Sequence, residues 1–190
     1  MPVSIDILPD RAPIQLTLDT ELMKKYHSHN SIVEYVNLVN TICKKESAEA
    51  LISSEFDDPL KWSDTSVFIY ASEIYKVNNS YSSVSVENHY SLPYGSSIRS
   101  LNGGRIDAAG FCDNLGNYVV IDHGMGVRTW YSHLSELTVK EGDLVNKGDI
   151  IGRAGSSGYA FTCGTSIFCT IGSTPVSLNE IINYGIKFSN

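Results

Sequence analysis

The positions of the histidines are the most direct guide to possible chemistry in this chain, because a neutral imidazole binds metals and acts as a base near neutral pH. The 190 residues include five histidines, and none follows His133. His27 and His29 lie in a polar segment with helical spacing, where we expect them to face solvent. His123 lies in an Ile-Asp-His-Gly turn. His89 and His133 lie in two separate strand-like segments, so together they could bind a metal ion.

The four cysteines do not extend this set of candidate ligands. They fit no C-x-x-C metal or redox pattern, and we expect them to be buried or free thiols rather than disulfides. An even number is also compatible with an oxidising compartment, and the sequence leaves any disulfide pairing open. The residues concerned are Cys43, Cys112, Cys163 and Cys169.

The segment from Gly116 to Gly158 reads as short strands separated by glycine turns. It contains the motifs Gly-Asn at 116–117, Ile-Asp-His-Gly at 121–124, Thr-x-Tyr-x-His-Leu at 129–134, and Gly-Asp at 142–143 and 148–149. These motifs resemble the core of the LytM/lysostaphin-type zinc endopeptidases, peptidase family M23, which cut peptide cross-links in bacterial cell walls. The resemblance implies an antiparallel β-sheet core of the LytM type, and it gives His123 a structural role.

The resemblance also marks the positions at which the family holds zinc. The family's H-x-x-x-D segment aligns without a gap, so that Ser85 replaces the histidine and His89 the aspartate. Its H-x-H segment falls on Gly164 and Ser166. A catalytic zinc needs three nitrogen, sulfur or carboxylate ligands from the protein, and of these positions only His89 supplies one. The resemblance therefore implies no metal, no cofactor and no catalytic residue, with His133 as a relic of the family's general base.

Strand alternation in residues 164–171 separates a core face from a groove face. The core face is expected to carry Ile167, Cys169 and Ile171. The groove face is expected to carry Gly164, Ser166, Phe168 and Thr170, with Phe168 making the groove apolar. The candidate groove and binding residues are therefore Ser85, His89, Tyr131, His133, Gly164, Ser166 and Phe168.

Composition excludes several classes of function. The net charge is −7 and the pI is about 5.1, which argues against nucleic acid as a partner because phosphate binding depends on clustered Lys and Arg. No apolar run approaches the roughly 20 residues that span a bilayer, and the first residues lack a secretory signal. Because the resemblance implies an extracytoplasmic, periplasmic location in a bacterium, we expect a signal or membrane anchor upstream of these residues.

The order of patterns along the chain predicts a mainly β fold with an N-terminal helical part. Residues 1–55 are expected to form an extended arm and a helical hairpin, whose first helix ends near His29 and whose second opens with a capping box at Ser31. The second helix would carry an apolar stripe at Ile32, Val36, Val39 and Ile42 that packs on the sheet or, alternatively, docks in the groove or on a partner. Residues 56–190 are expected to form a degenerate LytM domain that closes with a serine-capped helix over 177–184.

The function that the resemblance implies is a non-catalytic LytM-domain protein. It would bind and stabilise or activate a cell-wall hydrolase, either a catalytic LytM homologue in a heterodimer or an amidase, in cell-shape or cell-wall remodelling. A vacant cleft could also bind peptidoglycan peptides. The sequence does not identify the partner.

Two alternatives remain open at this point. An active zinc endopeptidase could use His89 and His133 with a carboxylate such as Glu87 or Asp113. A biotinyl- or lipoyl-type carrier would share the turn pattern of residues 139–149, but residues 151–155 contain no lysine to carry the group.

Overall fold

The structure is a computed structural model that describes residues 3–5, 14–16, 28–47, 55–62, 67–70, 74–77, 81–84, 87–160 and 162–186. Its strands are β1 (Val3–Ile5), β2 (Ile14–Leu16), β3 (Val67–Tyr70), β4 (Ile74–Val77), β5 (Tyr81–Val84), β6 (Asn88–Ser91), β7 (Ser97–Arg99), β8 (Gly104–Cys112), β9 (Gly116–Asp122), β10 (Val127–Leu134), β11 (Glu136–Leu137), β12 (Leu144–Val145), β13 (Ile150–Arg153), β14 (Gly164–Ile171) and β15 (Thr174–Val176). Its helices are α1 (His29–Cys43) and α2 (Leu178–Tyr184), with a 3-10 turn at Pro59–Lys61.

An eight-stranded antiparallel sheet is the centre of the fold. Its strand order is β12-β8-β9-β10-β14-β6-β3, and β15 pairs with β14 at one end of that strand. A second sheet has the order β11-β13-β7, while β1 pairs with β2 and β4 with β5. The mainly β, antiparallel architecture with a helix in its N-terminal part confirms the predicted fold class.

Each face of the large sheet is covered, which explains why all eight residues of β10 are buried. One face packs against β7, β13 and α2 in a core that includes Ile98, Ile151 and Leu178. The opposite face carries a smaller apolar cluster centred on Trp130 and Phe168, whose rings stack with their centroids 5.2 Å apart. Period-2 alternation in the strands sends neighbouring side chains to these two different cores.

Helix α1 covers the smaller cluster. Ile42 is 2% exposed within that cluster, and the helix residues that pack around it are Tyr35, Leu38, Val39 and Cys43. These positions recur at helical spacing and therefore lie on one side of α1. The helix thus lies against the face of the sheet that bears Trp130 and Phe168.

Polar contacts hold α1 at both ends. At its first turn, Asn114 Nδ2 donates to the carbonyl of Ser31 at 2.8 Å. Beyond its last turn, Lys45 Nζ donates to the carbonyl of Asp107 at 2.6 Å, and Arg128 Nη2 donates to the carbonyl of Lys45 at 2.9 Å. Arg128 is itself buried and pairs with Asp107, with Nε 2.8 Å from Oδ2. The helix therefore follows β8 and β9 from the turn between them to their far end.

Several predictions about the N-terminal part are corrected by the structure. The cap of α1 is Ser28 and not Ser31, because the Ser28 hydroxyl accepts from the Ser31 amide at 3.2 Å. The predicted stripe is also wrong in its first half, since Ile32 and Val36 are 45% and 46% exposed whereas Ile42 is buried. Most of the predicted first helix lies outside the described residues.

Other elements agree with the sequence. Helix α2 with its Ser177 cap is confirmed, and the predicted extended arm contains the paired strands β1 and β2. All four cysteines are free thiols, as expected, with Cys112 and Cys169 buried. None of the helices in the described part of the chain is long and apolar enough to span a membrane. The division at residue 56 stays a prediction.

Candidate functional site

The candidate groove lies where β6, β14 and β10 run side by side. His89 on β6 is directly opposite Ser166 on β14, and Ser166 is directly opposite Ser132 on β10. Residues paired in this way share a face of the sheet. That face also carries Phe168, so the predicted groove positions of β14 fall on one face as expected.

Hydrogen bonds occupy both ring nitrogens of His89. Nδ1 lies 3.0 Å from the Ser166 hydroxyl, and Nε2 lies 2.7 Å from the Thr162 hydroxyl. Burial, followed by the nearby His133, lowers the pKa of His89 to about 4. At neutral pH the ring is therefore neutral and is bonded to two hydroxyl groups of its own chain.

His133 reaches the same face through a β-bulge. The register between β9 and β10 shifts between Tyr131 and Leu134, and His133 has a φ of +65°. This irregularity brings its ring to 6.4 Å from the ring of His89, measured between centroids. His133 Nδ1 lies 3.0 Å from the carbonyl oxygen of Ser157, which anchors the ring on the loop before β14.

Tyr131 is a predicted groove residue that lies outside the groove. Its side chain is fully buried in the core between the two sheets, where its hydroxyl accepts from the amide of Leu101 at 2.9 Å. The prediction that Tyr131 lines the groove is therefore wrong. Tyr131 and His133 are two residues apart, and regular alternation would place both side chains on one face, but the bulge between them breaks that alternation.

Phe168 is on the predicted face but does not line an open groove. It is 3% exposed, because it stacks on Trp130 in the cluster that α1 covers. On the other face of β14, Ile167 and Cys169 are buried as predicted, whereas Ile171 is 40% exposed and does not belong to the core.

Gly164 occupies a backbone position that excludes any side chain. Its φ is +153°, and a Cβ built on it would overlap the carbonyl oxygen of Tyr90. The amide and carbonyl of Gly164 both bond to Gly155, at 2.7 and 3.0 Å. A histidine at position 164 would therefore require the backbone of β14 to move.

The predicted residues that remain are Ser85, His123 and the alternative carboxylate ligands Glu87 and Asp113. Ser85 lies outside the described residues. His123 is fully buried with both ring nitrogens bonded, to the carbonyl of Gly103 and the hydroxyl of Thr129, each at 2.7 Å, which supports a structural role. Among the described residues, no three His, Cys, Asp or Glu side chains are grouped so that they could hold a metal ion, and this includes the alternative set with Glu87 or Asp113.

Two contributors were not predicted from the sequence. Thr162 bonds the imidazole of His89, and Ser157 bonds that of His133. Ser157 lies in the glycine turn before β14, so the motif indicated its loop. The contact itself uses the backbone carbonyl, which every residue type has, so the sequence does not indicate it. Thr162 lies in a loop without regular periodicity.

Comparison with known proteins places this architecture in a family. The family model described as Peptidase family M23 matches residues 88–176. Glycyl-glycine endopeptidase ALE-1 of Staphylococcus capitis is 40% identical over 79 residues, which is 38% of this chain and 22% of that protein. The chain thus spans about a fifth of the length of this curated relative.

Solved structures share the fold. Lysostaphin of Staphylococcus simulans superposes with a TM-score of 0.58 at 24% identity, covering 70% of this chain and 55% of that chain. The catalytic domain of the prophage-encoded M23 protein EnpA of Enterococcus faecalis gives a TM-score of 0.55 at 24% identity, covering 60% of this chain and 90% of that chain. The family-model match, together with the motifs on β9 and β10 and the groove they frame, identifies residues 88–176 as a LytM/lysostaphin-type domain of peptidase family M23.

Proposed function

We propose that this chain is a non-catalytic member of the family that acts by binding, and that its partner is a cell-wall hydrolase. The observation that carries the proposal is the hydrogen bond of 3.0 Å between His89 Nδ1 and Ser166 Oγ. By the resemblance, these two positions would hold the metal together with position 85. Here the two side chains bond to each other.

The donor set does not fit zinc. A seryl hydroxyl is a poor zinc ligand at neutral pH, so Ser85 and Ser166 would leave a single imidazole to hold the ion. That imidazole has no free nitrogen without breaking its bonds to Ser166 and Thr162. Neither a firmly held metal nor a metal-activated nucleophile is expected from these residues.

The backbone at Gly164 supports the same conclusion independently. A family histidine at this position needs space that the carbonyl of Tyr90 occupies. The loss of the site is therefore built into the strand pairing and is not limited to exchanged side chains.

The proposed partner is a catalytic LytM-type endopeptidase or an amidase, in a heterodimer that stabilises or activates it during cell-wall remodelling or the setting of cell shape. Support comes from the retained M23 fold and from relatives whose names are peptidoglycan endopeptidases, such as ShyB of Vibrio cholerae. Helix α1 adds a surface with exposed Ile32, Val33 and Val36. An extracytoplasmic, periplasmic location follows from such a role.

The catalytic half of the proposal is tested with purified peptidoglycan and added zinc. The wild-type chain is expected to release no soluble muropeptides above background. A restored variant, Ser85→His with His89→Asp and Ser166→His, serves as the matched comparison for zinc uptake. Chelator-sensitive cleavage by the wild type would establish the alternative, an active zinc endopeptidase with unorthodox ligands.

The binding half is tested by mixing the chain with the catalytic LytM-type enzymes and the amidases of the same bacterium. Light scattering on a sizing column is expected to show a one-to-one complex with one of them, and the enzyme's rate of peptidoglycan cleavage or its melting temperature is expected to rise in that complex. If none of these hydrolases binds or changes, the proposed partnership is wrong.

A further inference from the structure

Strand β12, at one edge of the large sheet, carries an exposed leucine. Leu144 is 75% exposed, and no other leucine, isoleucine or valine side chain that the structure describes is as exposed. The next residue, Val145, is buried in the main core, as the alternation of a strand requires. Edge strands commonly carry charged side chains that discourage pairing with another chain, whereas β12 presents an apolar one.

The backbone of Leu144 points away from the sheet. Leu144 lies opposite Arg105 of β8. The amide of Ile106, the next residue of β8, donates to the carbonyl of Asp143 at 2.8 Å. In an antiparallel ladder this pattern makes Leu144 and Arg105 a pair that exchanges no hydrogen bonds. The N–H and C=O of Leu144 therefore face outward, and within the part of the chain that the structure describes neither has a hydrogen-bond partner.

A shallow cavity of about 570 Å³ lies beside this free edge. Leu144, Val139 and Ile150 give it an apolar lining, and Arg99 lines it as well. Ile150 pairs with Arg99 across β13 and β7, and the adjacent Ile151 is buried in the core, so the cavity is on the outer face of the small sheet. Both sheets therefore separate it from the candidate groove.

The charged groups that line the cavity are bonded to the chain itself. The carboxylates of Asp143 and Asp149 each accept from a backbone amide of their own turn, at 2.9 and 2.7 Å. Arg99 Nη1 donates to the carbonyl of Gly148 at 2.8 Å. These bonds fix the shape of the rim before any partner arrives, which lowers the entropic cost of binding. The cavity thus offers a partner an open backbone edge and apolar side chains.

We infer that an extended segment of the partner protein adds as a strand to the free edge of β12. Its backbone bonds to the N–H and C=O of Leu144, and one of its apolar side chains packs on Leu144 and Ile150 in the cavity. Strand addition is a recurrent mode of recognition in which backbone bonds supply affinity and side-chain pockets supply specificity. The unpaired backbone favours an extended segment over a helix, because a helix has already used its own N–H and C=O groups.

This inference rests on the proposed function, which makes the partner a cell-wall hydrolase. It adds the surface on which that hydrolase docks. The exposed residues of α1 belong to the other side of the large sheet, so the two surfaces can be tested separately.

Amide hydrogen exchange of the wild-type chain is the first test. The chain is measured alone and after mixing with each catalytic LytM-type enzyme and amidase of the same bacterium. In the free chain the Leu144 amide is expected to exchange rapidly, because it has no partner, while the bonded amide of Ile106 exchanges slowly. In the complex we expect the exchange of the Leu144 amide to slow at least tenfold.

Three variants distinguish the backbone contact from other contacts. Leu144→Pro removes the outward N–H without removing a bond to β8, so we expect the free chain to melt within about 4 °C of the wild type and hydrolase binding to weaken about tenfold or more. Leu144→Ala keeps the N–H and should weaken binding less than the proline does. Ile32→Ala removes an exposed side chain of α1 and should leave binding unchanged.

The outcomes separate this inference from the proposed function. Unchanged exchange of the Leu144 amide in the complex, full binding by Leu144→Pro, or an equal loss of binding with Leu144→Ala would each overturn the inference, while the complex would still support the proposed function. Loss of binding with Ile32→Ala alone would also overturn it. If the wild type forms no complex with any of these hydrolases, the proposed partnership fails, and the inference fails with it. Because the exchange is read in the wild type, the test does not depend on the folding of a variant.

Discussion

The packing of α1 on the groove face can be tested with two isoleucines of the same helix. Ile42 is 2% exposed within the cluster of Trp130 and Phe168, whereas Ile32 is 45% exposed near the other end of α1. Replacing each with alanine removes the same atoms and changes the intrinsic helix propensity equally. The difference between the two variants therefore reports burial.

The expected magnitudes follow from that burial. Removing a buried isoleucine side chain costs about 2–5 kcal/mol of unfolding free energy, because apolar contact is lost and a cavity remains. The exposed site is expected to cost less than about 1 kcal/mol. For a chain of this length each kcal/mol corresponds to a shift in melting temperature of about 2–4 °C, so Ile42→Ala should melt about 4–20 °C below the wild type.

Urea unfolding followed by tryptophan fluorescence gives the comparison directly, because Trp130 lies in the affected cluster. The account predicts a clear loss of stability for Ile42→Ala and little change for Ile32→Ala. If the two variants unfold at the same urea concentration, α1 does not pack on this face in solution, and the description of the covered groove face is wrong.

Three further predictions concern the contacts around the groove. Asp107→Ala leaves Arg128 buried without its carboxylate and should lower the free energy of unfolding in urea by about 3–5 kcal/mol. Glu141→Ala removes the exposed partner of Lys45 and should lower it by less than about 1 kcal/mol. Equal losses of unfolding free energy would contradict the buried pair of Asp107 and Arg128. Gly116→Ala should lower the melting temperature more than Gly142→Ala, since both have a positive φ but only Gly116 faces the backbone of Ser157; the reverse order would refute the loop contact. His123, whose pKa burial lowers to about 4 from an unfolded value near 6.5, takes up protons mainly on unfolding, so the stability it contributes is complete above pH 6.5 and is lost as the pH falls toward 4. His123→Gln should show a shallower loss over that range in unfolding curves recorded at several pH values, and parallel curves for the two proteins would contradict the assignment.

Much of the fold was predictable because its elements follow local rules. The alternation in β14 correctly separated Ile167 from Ser166, and the serine before α2 marked its start. The spacing of the glycine turns indicated the strands between them. These features depend on neighbouring residues in the chain, which is the information that a sequence carries most directly.

The site was less predictable because its geometry depends on contacts between distant segments. The bulge between Tyr131 and Leu134 leaves Tyr131 in the core and places His133 on the groove face, and no residue type in the sequence indicates such a bulge. Likewise, the contact of Ser157 with His133 uses a backbone carbonyl. The burial of Phe168 required knowing that α1 crosses this face, which the sequence offered only as one of two alternatives.

The most direct measurement of the central claim is the zinc content of the protein, determined by plasma mass spectrometry after equilibration with equimolar zinc and removal of unbound metal. The account predicts far less than one zinc per chain for the wild type, because hydroxyl groups occupy two of the three ligand positions. One zinc per wild-type chain, with that zinc lost when His89 is replaced by alanine, would contradict the claim.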